Sequence, residues 1–275
     1  MRFIINADDI GISHEVNKAI EQCFKDDVIT STTIMANGKA FDEVSSIYST
    51  FSHYSFGIHL VLDELSPLTS QDIFFKRGIV DEEGLFIKSG IKYAVIDDEL
   101  KNSIFKEWCS QVEKIQSAGI KISHIDSHHH VHVIPELHSV VKEISEKYGI
   151  KRVRNNNFLP YGIKSKTKNY IFKNPQKTLQ GISEEKNTIS LLCKITSYAK
   201  KMNNFYRFRR DFNTTNYFMS SRFFIENKEL FDKRLNPECT LELMCHPGHA
   251  NYREELELLY NYRKELEKRI PYTLL

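Results

Sequence analysis

Residues 122–133 read Ile122-Ser-His-Ile-Asp-Ser-His-His-His-Val-His-Val133 and carry five of the chain's 11 histidines. His124, Asp126, His128, His130 and His132 fall at every second position. Alternate residues of an extended strand share one face. The run therefore predicts a strand over Lys121–Asp126 that delivers imidazoles and a carboxylate to one side. Clustered imidazole and carboxylate groups are the usual material of a divalent-metal site. One or two of these histidines can serve packing, but five together in one run point to chemistry.

Working outward, the polar residues keep falling at the ends of apolar, β-rich runs. Phe3-Ile-Ile-Asn-Ala-Asp-Asp-Ile-Gly11 ends a buried strand on Asp8 and Asp9. Ser55 to Leu62 carries His59 alone among apolar neighbours, and Thr240 to Cys245 is followed by His246-Pro-Gly-His249. Each feature has a structural reading: acids before a glycine cap turns, a lone histidine is satisfied in a core, and His-Pro-Gly is a turn. Four separate strands ending in such groups favour a shared site instead.

Between the strands stand helical patterns. Ser13 is a fitting N-cap for Val16, Ala19, Ile20 and Phe24, and Asp98–Ala118 repeats apolar residues every three to four positions. Pro135 opens a helix to Tyr148, and a terminal helix is expected over Tyr252–Arg269. Further strands are expected at Val28–Ala36, Arg152–Asn155 and Asn216–Ser220. Residues 63–95 read as an excursion with short elements. About seven strand–helix steps predict an α/β fold with a parallel sheet. We read it as one (β/α) barrel over 1–275, TIM-like but deformed or incomplete, with its site at the C-terminal ends of the strands.

Composition agrees with a soluble enzyme-sized domain: 275 residues, 41% hydrophobic and 27% charged. No apolar run reaches membrane-spanning length and no signal peptide is legible, so a cytoplasmic protein without membrane contact is expected. Five scattered cysteines without a Cys-x-x-Cys pair predict reduced thiols. Net charge is +2, yet residues 151–210 hold 15 Lys/Arg against 2 Asp/Glu. This block is read as a basic, partly helical insertion over about 156–212. Nucleic-acid binding is not the favoured reading, because no motif for it accompanies the charge.

Four ordered motifs resemble those of the YdjC-like carbohydrate deacetylases, a family related to the chitooligosaccharide deacetylases. They are Asn6 to Gly11, Gly57 to Leu60, Ser123 to His130, and Glu242 to Gly248. The family usually has Asp where Asn216 stands here. The resemblance implies a barrel-like fold and hydrolysis of an N-acetyl group on a sugar. It implies Asp9, His59 and His128 as ligands of one divalent ion, Mg²⁺ or Zn²⁺. Asp8 would be the general base and His246 the general acid, with Asp126, His130 and Arg154 supporting ligands or touching substrate. The expected partner is an acetylated sugar, and a homodimer is compatible. Two other readings stay open: a metal-dependent amidohydrolase or phosphoesterase, and a non-catalytic sugar- or nucleic-acid-binding protein.

Overall fold

A computed structural model describes residues 1–155, 202–266 and 268–275. Six strands form one wholly parallel sheet: β1 (Arg2–Ile10), β2 (Ser31–Ile34), β3 (Ser55–Leu60), β4 (Ile125–Ser127), β5 (Tyr217–Ser220) and β6 (Thr240–Cys245). Their order is β4-β3-β2-β1-β6-β5. β1 is central, and all its residues after Arg2 are buried. A parallel strand covered on both faces needs this near-continuous apolar run, and Ile4, Ile5, Ile58, Leu60, Leu241 and Leu243 supply it here.

Helices alternate with the strands: α1 (His14–Lys25), α2 (Val44–Phe51), α3 (Asp72–Lys76), α4 (Gly90–Tyr93), α5 (Asp98–Ser117) and α6 (His138–Tyr148). Residues 202–211 form α7 as far as it is described. Then come α8 (Ser221–Glu226), α9 (Lys228–Arg234) and α10 (Arg253–Tyr262). Ser13 caps α1 by accepting from the Val16 amide, and α5 is capped by Asp97. α5 packs on β3 and α6 through a stripe that includes Leu100, Trp108 and Val112.

The sheet curls. Beyond β4, Ile125 pairs with Val153, donating its amide to the Arg152 carbonyl and accepting from the Arg154 amide. Arg152 in turn bridges to Asn213, just before β5 at the opposite edge. This linkage is compatible with a deformed barrel. Of residues 152–155, Arg152 and Val153 thus join the sheet as isolated bridges, in place of the full strand expected. The terminal helix is also shorter than its pattern: α10 stops at Tyr262, and Ile270 donates to the Phe3 carbonyl. The core of the basic block, 156–201, lies outside the described residues. No described helix is long and apolar enough to cross a membrane.

Candidate metal centre and catalytic rim

Asp8 and Asp9 adjoin in sequence, so in a regular strand their side chains would diverge. β1 breaks its register with β2 between Ala7 and Ile10, so that Asp8 and Asp9 together face Thr33, as in a β-bulge. Asp9 has φ +76, a left-handed conformation that Asp tolerates better than most residues. The irregularity turns both acids to the same interior.

Asp9 Oδ1 lies 3.1 Å from His59 Nε2 and 3.2 Å from His128 Nδ1. Its other oxygen lies 3.1 Å from His249 Nε2. The far nitrogen of each of the first two rings meets a carboxylate: His59 Nδ1 is 2.7 Å from Asp126 Oδ1, and His128 Nε2 is 2.7 Å from Glu64 Oε2. A ring that donates N–H outward leaves its inner nitrogen as a lone pair. Two such lone pairs and one carboxylate oxygen then converge, all within 4.8 Å of one another. That donor set fits a divalent cation and leaves coordination positions open. Burial raises the Asp9 carboxyl, but the His128, His249 and His59 imidazoles around it hold it well below the usual range. A cation would take the place of the inner proton on His128, which Asp9 and Glu64 otherwise favour against burial, bringing the ring to about 9.

Beneath this group sits Arg154, fully buried, with three carboxylates around it. It donates to both oxygens of Asp8 at 2.8 Å and to Glu242 Oε1 at 2.6 Å, and its Nη1 lies 2.8 Å from Asp126 Oδ2. Its guanidinium lies 4.8 Å from the Phe218 ring centroid. Burial alone would raise Asp8; the Arg154 charge and hydrogen bonds more than offset it and keep Asp8 ionised. Burial pushes Glu242 up to about 7, although Arg154 and the Tyr272 hydroxyl, which donates to it, pull the other way.

His246 occupies the rim. The Glu255 carboxylate accepts from its backbone amide at 3.0 Å and lies 3.3 Å from its Nδ1. Tyr252 stacks on the ring at 4.3 Å. Burial disfavours imidazolium, but Glu255, Asp8 and Asp9 raise the His246 pKa above the ordinary value. Gly248, at φ +84, lets the turn press on α1: a Cβ there would stand 2.7 Å from Val16 Cα. A small recess of about 40 Å³ beside His246 is lined also by Ser220, Arg222, Met244 and Tyr252.

The structure therefore brings together Asp8, Asp9, His59, Asp126, His128 and Arg154, with His246 beside them. It corrects the reading of residues 122–133. The chain leaves β4 after Ser127 and enters a 3₁₀ turn, His128–Val133, in which His129 and His130 have φ +44 and +58. The alternation ends there, so the five side chains do not share a face. His124 stacks on Tyr272 at 3.8 Å, and a Cβ on Gly57 would meet its ring at 2.5 Å. His132 is fixed between Ser127 Oγ and the Arg154 carbonyl, and burial pushes its pKa down to about 3. His130 packs edge-on against Phe218, 5.3 Å between centroids, and not against the Asp9 group. Sequence reasoning gave no role to Glu64, His249, Glu242 or Glu255. Glu242 opens the last quoted motif and His249 follows it; nothing in the residue pattern marks Glu64 or Glu255.

Comparison with known proteins follows the same lines. A family model described as YdjC-like protein matches residues 2–269. A carbohydrate deacetylase of Clostridium beijerinckii is 32% identical over 271 residues, covering 97% of this chain and 90% of that protein. One from Brevibacillus brevis is 35% identical over 150 residues, 54% of this chain and 58% of its own length. A crystal structure from Enterococcus faecalis V583, described as a candidate cellobiose-phosphate cleavage protein, shares the fold. Its TM-score is 0.69, with 98% of this chain and 97% of that one covered at 20% identity.

Proposed function

Because this chain belongs to the YdjC-like protein family, we propose that it is a carbohydrate deacetylase. In this reading it hydrolyses the N-acetyl group of an acetylated amino sugar or short oligosaccharide of the N-acetylglucosamine type. Asp9, His59 and His128 hold one divalent ion, Mg²⁺ or Zn²⁺. The observation that carries the reading is the convergence of their three donor atoms, two of them on rings anchored from behind by carboxylates.

Hydrolysis of an acetamide needs a nucleophile, a polarised carbonyl and a protonated leaving nitrogen. A cation held by Asp9, His59 and His128 would supply Lewis acidity at this point. Asp8 takes the proton of the attacking water, held in one orientation by its paired bonds to Arg154. His246 gives its proton to the amine nitrogen as the C–N bond breaks, so acetate and the free amino sugar leave. Glu255 keeps the ring oriented and favours its protonated form. The sugar lies over the rim beside His246. Proton transfer by such groups typically contributes roughly 10²–10⁴-fold each.

The test is acetate release from N-acetylglucosamine, its phosphate and its short oligomers, with and without chelator. Release that chelator abolishes and added cation restores is expected, and Asp8→Asn should keep the cation while losing turnover. Release that chelator leaves unchanged would overturn the proposal.

A further inference from the structure

His128 is anchored from a loop, and the loop is itself clamped. Val61 to Thr69 follows β3 and carries Asp63 and Glu64. At its start, Gln111 on α5 accepts from the Val61 amide and donates to the Val61 carbonyl, both at 2.9 Å. At its end, Glu107, one turn earlier on α5, accepts from the Leu68 and Thr69 amides at 2.9–3.0 Å and from the Thr69 hydroxyl at 2.6 Å. Gln111 Nε2 also donates to Glu107 at 2.9 Å. Both side chains are fully buried. Between these ends the Leu65 carbonyl accepts from the Phe86 amide at 2.7 Å, and Leu65 sits at φ +65. Among the described residues no cation pairs with Glu107, and a buried carboxylate so placed is expensive to fold around unless its acceptor capacity is used. Here that capacity goes almost wholly to holding one loop.

What the held loop presents is a pair of carboxylates against successive histidines. Glu64 Oε2 is 2.7 Å from His128 Nε2, and Asp63 Oδ2 is 2.9 Å from His129 Nδ1. The Glu64 side chain is 44% exposed, so the pair adds little to folding. Its geometry, however, repeats the arrangement at His59 and Asp126. A carboxylate on the outer nitrogen of a ligating imidazole fixes its tautomer and orientation and makes the ligand more basic.

We propose, resting on the cation site put forward above, that Glu64 is the positioning residue for His128, and that Glu107 and Gln111 clamp the loop that brings it there. Glu64 touches neither reacting atoms nor the cation itself. It sets which His128 nitrogen faces Asp9.

Zn²⁺ titrated into chelator-stripped protein against a chromogenic chelator reads this without substrate. Glu64→Ala is expected to weaken Zn²⁺ affinity by roughly 10–100-fold while the stripped protein melts at the wild-type temperature. Glu64→Gln, whose amide oxygen still accepts from Nε2–H, should recover part of the loss. Glu107→Gln should weaken binding although it lies away from His128; where it does not fold, Thr69→Val takes its place. Wild-type affinity in Glu64→Ala would overturn the positioning role, and wild-type affinity in the clamp variants would overturn the clamp. His128→Ala separates the levels. If it loses Zn²⁺ while Glu64→Ala does not, only this inference fails; if it too binds normally, the cation site fails with it.

Discussion

Each side chain at the site is set by a partner of opposite sign, and His246 shows what that does. Glu255 reaches it twice, through the backbone amide and through Nδ1. The consequence is an imidazole that holds its proton above the ordinary histidine range. A general acid must be protonated to act, so turnover falls as pH rises through this pKa. Removing the Glu255 charge lowers that pKa. Glu255→Gln should therefore move the alkaline limb of the kcat profile to lower pH, and His246→Ala should lower kcat by roughly 10²–10⁴-fold. An alkaline limb that stays in place in Glu255→Gln would remove His246 from the proton-donor role. Arg154 is the complementary case, a buried cation whose charge is matched by three acids from β1, β4 and β6. Leaving them unpaired in a low-dielectric interior costs far more than a surface ion pair is worth.

At the scale of elements, the turn after β6 matters as much as the strand. Gly248 is left-handed and lies against the backbone of α1, where any side chain is strained and obstructed. Gly248→Ala should destabilise the protein by about 1–3 kcal/mol and depress turnover, because the same turn sets His246 and His249. Thermal melting with an activity assay checks it, and an unchanged melting temperature would contradict the packing described. β1, β2, β3 and β6 were legible because a short apolar, β-rich run bounded by turn residues suits a strand buried on both faces and is too short for a helix. The histidine run was legible as chemistry but not as geometry. Alternation puts residues on one face only while the chain stays extended, and two left-handed histidines end that after Ser127. The β1 irregularity that turns Asp8 and Asp9 inward has no signature in residue type. Glu64 and Glu255 could not be found from periodicity, because their partners lie across loops that tertiary packing alone brings together.

At the scale of the molecule, the parallel sheet gathers strand ends from β1, β3, β4 and β6 on one side of a curled surface. The expectation that the polar residues of separate strands would meet there rested on barrel topology, and the described residues bring them together. The edge strand β4 and the segment before β5 are linked through the isolated bridges at Arg152 and Val153. The account's central claim is that Asp9, His59 and His128 share one cation. Equilibrium dialysis with Zn²⁺ or Mg²⁺, followed by metal analysis per chain, tests it most directly. One cation per wild-type chain is expected, with loss of that cation in Asp9→Ala, His59→Ala and His128→Ala alike while each variant remains folded; a full complement of metal in folded His128→Ala protein would contradict it.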